Sequence, residues 1–170
     1  MKVVLVKDKD LQAAAEQGKD AFLQVFVDAI YKAIGSDTLT AENMAQLNAD
    51  QITLLAYDIL QKEVMDGGFI QLIHNGYGAF IFRNPFDKAI REWGLVDLFR
   101  VLKKCHKLYL QYGADIEKDC TDEEFMALFE KYPFFDDFDD VFVENEECWT
   151  GEVAHYVDDH IEQFAKIISE

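Results

Sequence analysis

A chain of 170 residues that is 50% hydrophobic and 14% aromatic has the length and the apolar side chains for one compact domain, which excludes wholesale disorder. Its formal net charge is −17, and its three cysteines, Cys105, Cys120 and Cys148, are odd in number and far apart, which excludes a disulfide framework and a zinc knuckle. The opening apolar run Val3 to Val6 is too short for a signal-peptide core, and no later stretch approaches the roughly 18 apolar residues of a membrane span, so a cytoplasmic protein without membrane contact is expected.

Lys2 to Val6 reads as a short strand. From Asp20 to Ile34, Phe22, Val25, Phe26, Ala29, Ile30 and Ala33 recur at helical spacing, and Gly35 is a natural stop. Thr40 with Asn43 three residues on is a weak cap. Asp50 then opens a second long helix whose apolar face holds Ile52, Leu55, Ala56, Ile59 and Leu60, up to the break at Gly67-Gly68. Phe69, Leu72 and Ile73 begin a short helical segment that Asn75-Gly76-Tyr77-Gly78 should end, making residues 66–78 a tight corner.

Asn84-Pro85 suits a helix start, and Gly94 interrupts that helix after Trp93. Leu98, Phe99, Leu102, Cys105, Tyr109 and Tyr112 then repeat at three and four, predicting a helix that ends at Gly113. Thr121 followed by Asp122, Glu123 and Glu124 is a cap with first-turn acids, and Pro133 closes the helix that it starts. From Gly151 to the end, Val153, Tyr156, Val157, Ile161, Phe164, Ala165 and Ile168 form one amphipathic stripe. The fold class expected is all-α: one compact multi-helix domain over residues 1–170, with room for one short N-terminal strand.

The charge is unevenly placed. Residues 1–112 hold 14 Asp and Glu against 13 Lys and Arg, whereas residues 113–170 hold 19 against 3. In Phe134 to Glu144, Phe134, Phe138, Val141 and Phe142 share one face of a helix and acids fill the remainder, so an apolar face can hold a row of carboxylates in place. If helical, Asp136, Asp137, Asp139 and Asp140 put one charge in about 1.9 Å of axis, against about 1.7 Å for duplex DNA. Glu144, Glu146 and Glu147 extend the row at lower density, and Asp158, Asp159 and Glu162 add to it from the final helix. Exposed aromatics beside the acids would help a partner to bind; the candidates are Tyr132, Phe135 and Trp149, each with core as its first reading.

The catalytic constellations are weak. Gly67-Gly68 lacks the following lysine and the preceding strand of a phosphate loop. His155 and Asp159 stand at i, i+4, which is half a metal site, but His74, His106 and His160 complete no ligand motif, and the acidic runs lack the spacing of a calcium loop. Serine occurs only at Ser36 and Ser169, and Cys105 sits at a core position, so no nucleophile can be nominated. The sequence reads as a non-enzyme with no cofactor and no metal.

The run Glu63-Val64-Met65-Asp66-Gly67-Gly68-Phe69-Ile70-Gln71-Leu72-Ile73-His74-Asn75-Gly76-Tyr77-Gly78 resembles the E-V-x-N-G-G-F-x-Q-[FY]-x-x-N-x-x-G signature of the bacterial DNA-mimic protein family, long catalogued as a domain of unknown function. It departs at Asp66, where the family more often has asparagine, and at Leu72, where it usually has an aromatic residue. The sharp match spans 16 residues, and compatible helical patterning extends it over residues 20–170.

The resemblance implies an all-helical acidic protein that occupies the DNA-binding surface of a partner, such as a transcription factor, and keeps DNA away. It makes Glu63, Gly67, Gly68, Phe69, Gln71, Asn75 and Gly78 architectural. The mimicry would depend on surface acids, and the expected partner-binding residues are Asp136, Asp137, Asp139, Asp140, Glu144, Glu146, Glu147, Asp158, Asp159 and Glu162. The partner expected is a DNA-binding or other basic protein, not nucleic acid itself, and a homodimer is compatible. The alternative is an interaction module for another basic partner, with an uncharacterised enzyme behind it.

Overall fold

The computed structural model describes residues 1–169. They form, in chain order, β1 (Leu5–Lys7), α1 (Asp8–Gln17), α2 (Lys19–Ile34), α3 (Ala41–Met44), α4 (Ala49–Leu72), a π-helical turn (Ile73–Tyr77), α5 (Gly78–Phe82), α6 (Phe86–Glu92), α7 (Val96–Ile116), α8 (Asp122–Lys131), a 3-10 turn (Pro133–Phe135), α9 (Asp136–Asp159), α10 (Ile161–Phe164) and β2 (Lys166–Ile168). The protein is predominantly helical, as the three-and-four spacing of its apolar residues predicts. The chain clusters into two compact units: residues 1–55 with the chain from Thr150 onward, and residues 56–149.

In the first unit α1 and α2 form a helical hairpin. Gly18 (φ 122°) joins them, and Gly35 (φ 67°) ends α2 in the left-handed conformation that glycine adopts without a Cβ penalty. Phe26 and Ile30 are fully buried on α2, and the Phe26 ring meets Phe164 edge-on at 6.4 Å. Thr40 and Asn43 close a reciprocal capping box on α3, so the weak cap signal marks a separate short helix. The start of α4 is capped from Asn48, whose backbone N–H donates to Gln51 Oε1 (3.0 Å) while its Oδ1 accepts from Gln51 N (2.8 Å). Gln51 also donates to the Phe164 carbonyl at 3.0 Å, tying two distant chain segments together.

The C-terminal stripe does not continue as helix. The backbone turns at His160, and β2 pairs in parallel with β1 through Leu5↔Lys166, Val6↔Ile167 and Lys7↔Ile168. Ile161, Phe164 and Ile168 fit a helical period over so short a stretch, but an apolar Lys-Ile-Ile end also suits a strand once β1 offers an edge. The N-terminal strand lies at Leu5–Lys7, slightly later than the apolar run suggests. Helix α1 was not legible, because Leu11 and Ala14 are its only buried residues.

The second unit is built around α7. Leu98, Leu102, Cys105 and Tyr109 are buried along it, and α5 and α6 pack against it. The helix runs through Gly113 to Ile116 instead of stopping at the glycine. Gly113 is buried under the Tyr109 ring, and a Cβ built there would lie 2.6 Å from Tyr109 Cδ1, so this glycine serves close packing and not termination. Gly78 likewise does not end the preceding segment: it opens α5, where a Cβ would come within 2.5 Å of Tyr109 Cε1. Two glycines thus cradle one aromatic side chain. Thr121 and Glu124 form the expected capping box of α8.

Candidate partner-binding surface

Helix α9 begins where Pro133 starts a turn and Phe135, fully buried, fixes the chain. At about 100° per residue, Phe142 and Trp149 fall on one side of α9, whereas Asp136, Asp137, Asp140, Glu144 and Glu147 fall within an arc of about 100° on the other. Phe142 and Trp149 are buried and their rings meet at 5.4 Å, and Phe142 meets Phe69 of α4 edge-on at 6.3 Å. The apolar side therefore anchors the helix, and all five acids of the arc are exposed. They span eleven helical rises, about 16.5 Å, or one charge in roughly 3.3 Å. That is close to the roughly 3.4 Å of one DNA strand and half the density of the duplex.

Two of the acids in this stretch do not join the arc. Asp139 and Glu146, seven residues apart, sit about 40° to 80° from the buried side and are half-buried. Glu146 accepts from Gln61 Nε2 at 3.0 Å, and Asp139 accepts from the backbone N–H of Phe69 at 2.8 Å. The density reckoned from the four acids in Asp136–Asp140 thus drops by one charge. Asp158, Asp159 and Glu162 are exposed but belong to the other unit, where Asp159 lies 3.2 Å from His155 Nε2.

Of the aromatics considered, Tyr132, Phe135 and Trp149 are all buried. The exposed one is Phe134, half of whose surface is open and whose ring stacks on Tyr112 at 5.2 Å and 9°. It precedes the helix, so it is not part of the buried face on which helical spacing put it. Val143 is also exposed and lies at the edge of the acidic arc.

The signature residues surround the corner that carries this helix. Gly67 (φ −149°, ψ 15°) and Gly68 (φ 76°, ψ −176°) break α4, and Phe69 beyond them is fully buried. Gln71 donates to Glu63 (2.7 Å) and Asp66 (2.9 Å), and Asn75 donates to the same Glu63 carboxylate at 3.1 Å. A Cβ at Gly67 would overlap the Gln71 side chain, and one at Gly68 would lie 2.5 Å from Asp139 Oδ2. Each polar member of the signature therefore has a partner, and each of the paired glycines has a reason to lack a side chain.

With the corner and the acidic helix in view, comparison with known proteins is decisive on kinship. A family model described as DMP19-like protein matches residues 45–160. The chain belongs to the DMP19-like family. It is 35% identical over 127 residues to a protein of Neisseria meningitidis serogroup B named DNA mimic protein DMP19, an alignment covering 74% of this chain and 77% of that relative. The matched residues include both the corner and the acidic arc of this DMP19-like protein.

Sequence reasoning missed a surface of opposite sign. Arg83, Lys88, Arg91, Arg100, Lys103, Lys104 and Lys107 are all exposed, and the last four share one face of α7 at spacings of three and four. Arg91 and Lys103 lie over the Phe99 ring at 4.9 and 5.6 Å, and Lys103 approaches Asp87 at 3.4 Å. The near-zero net charge of residues 1–112 concealed this cluster. Among the described residues no helix is long and apolar enough to cross a membrane.

Proposed function

We propose that this protein is a DNA mimic whose α9 acids occupy the DNA-binding surface of a DNA-binding protein, such as a transcription factor, and exclude DNA from it. The observation that carries the reading is the exposed arc of Asp136, Asp137, Asp140, Glu144 and Glu147, with charge spacing close to that of one DNA strand and an apolar side that holds the helix. The name of the meningococcal relative supports it. A basic groove shaped to neutralise phosphates meets carboxylates at similar intervals, and the exposed Phe134 and Val143 add apolar contact beside them. The binding needs no catalytic group and no cofactor, and it takes place in the cytoplasm, where transcription factors work.

The test is affinity capture on the immobilised protein, followed by purification of a captured DNA-binding protein and titration against wild type and a five-site variant with Asp136, Asp137 and Asp140 changed to Asn and Glu144 and Glu147 to Gln. Wild-type affinity should fall steeply as salt rises, and the variant should bind at least about tenfold more weakly with little salt dependence. Equal affinity of the two proteins would place the binding surface elsewhere.

A further inference from the structure

The carboxyl group of Asp139 is used differently from its neighbours. Beyond Gly68 helix α4 has to restart, and the first N–H groups of a restarted helix have no partner within it. Asp139 supplies one from another element: its Oδ1 accepts from Phe69 N at 2.8 Å. The space for it exists because residue 68 is glycine, since a Cβ there would come within 2.5 Å of Oδ2 and 2.8 Å of Cγ. The contact also restrains the rotation of α9, because a residue on one flank of a helix held at one point limits where its exposed arc faces.

We propose that Asp139 is a positioning residue: its carboxyl group, seated in the gap left by Gly68, latches the acidic helix onto the two-glycine corner. The proposal deepens the DNA-mimic reading by naming what aims the acidic arc. The groups facing Asp139 are unfavourable to a charge. On its own helix they are the carboxylates of Asp136 and Asp140; on α7 it is the buried Cys105 thiol, whose own ionisation Asp139 opposes; on α4 it is the Phe69 N–H. Only the last favours the anion, and no cation is among them. Burial, more than the two like charges, pushes the Asp139 carboxyl up to about 7, against the pull of the Phe69 hydrogen bond.

The sign follows from linkage. A carboxyl whose proton is held more tightly in the seated state than when free in water stabilises the seated state fully below its ordinary range near 4, and that stabilisation is lost as pH rises to about 7. Opening of the latch, in which Asp139 reaches water, becomes more favourable over the same interval. The seating of Asp139 at the corner is thereby tied to pH near neutrality.

Amide exchange and carboxyl NMR on the intact protein test this without a partner, so failure here leaves the DNA-mimic reading standing, whereas failure of the capture experiment leaves this test intact. Corrected for intrinsic chemistry, exchange at Phe69 in the wild type should speed up by more than about tenfold between pH 5 and pH 7. In Asp139→Asn the side-chain oxygen still accepts from Phe69 but carries no proton to lose, so the exchange rate should stay flat across that range. In Asp139→Ala exchange should be fast at both values. The carboxyl carbon of Asp139 in the wild type should titrate near neutrality, a readout that survives even if a variant fails to fold. A titration midpoint near 4, or parallel pH profiles of wild type and Asp139→Asn, would overturn the proposal.

Discussion

Replacing Gly68 by alanine combines two costs that can be separated. Its φ of 76° and ψ of −176° lie in a region essentially confined to glycine, where an L-residue costs on the order of 1 to 3 kcal/mol. The new Cβ would also stand 2.5 Å from Asp139 Oδ2, so the carboxyl group must leave and Phe69 N–H loses its acceptor, at about 1 to 3 kcal/mol more. Together they give a loss of roughly 2 to 6 kcal/mol, a large part of the 5 to 15 kcal/mol typical of a folded domain. Gly18→Ala is the control: its φ of 122° and ψ of −179° lie in the same glycine-only region, but nothing lies within 4 Å of the added Cβ. Urea titrations of both variants give the comparison, and Gly68→Ala should be the more destabilised by at least about 1 kcal/mol. If Gly68→Ala loses no more stability than Gly18→Ala, the close approach of Asp139 to the corner is not part of the native packing.

The remaining predictions concern the rest of the second unit. Phe142→Ala empties a fully buried site between Phe69 and Trp149 and should cost about 3 to 5 kcal/mol in a chemical denaturation curve. Gly113→Ala, which helix propensity alone would favour, should instead destabilise by about 1 to 3 kcal/mol, because the Tyr109 ring is already held by Phe82 at 5.2 Å and by its hydrogen bond to Glu117; a rise in thermal midpoint would contradict that packing. Thr121→Ala removes the α8 capping box and should cost about 1 kcal/mol. Hydrogen bonds from Tyr132 and then Lys131 hold the Asp115 carboxyl down to about 2, so its contribution is present above the ordinary carboxylate range and lost as pH falls from about 4 to about 2; Tyr132→Phe should move the Asp115 titration upward in an NMR pH series.

The helical class, the corner and the acidic stretch were legible because each has a strong local signal. Apolar residues at three and four mark α2, α4 and α7, and paired glycines mark a break in the helix. What the sequence could not convey is which side of a helix a given acid takes once tertiary partners compete for it. Asp139 and Asp140 are adjacent and chemically identical, yet one bonds to Phe69 N–H, 70 residues away in the chain, and the other faces outward; the deciding feature is the gap at Gly68 beside that N–H. The same limit explains Gly113 and Gly78, where a ring above the glycine, not the glycine itself, sets the outcome. It explains the final strand too, since Lys166–Ile168 becomes β only because Leu5–Lys7 is alongside. The cationic face of α7 was visible in composition once residues 83–107 are counted alone, and was lost in the average over a longer segment.

The central claim is that the acidic arc takes the place of DNA on its partner, and competition at the partner's own site addresses it most directly. A fluorescent duplex bound to a captured DNA-binding protein is titrated with this protein while the anisotropy is followed. Wild type should release the duplex completely, raising the duplex concentration should shift the midpoint in proportion, and the five-site Asn and Gln variant should need at least about tenfold more protein for the same release. A ternary complex, with the duplex and this protein held together on one partner molecule, would contradict it.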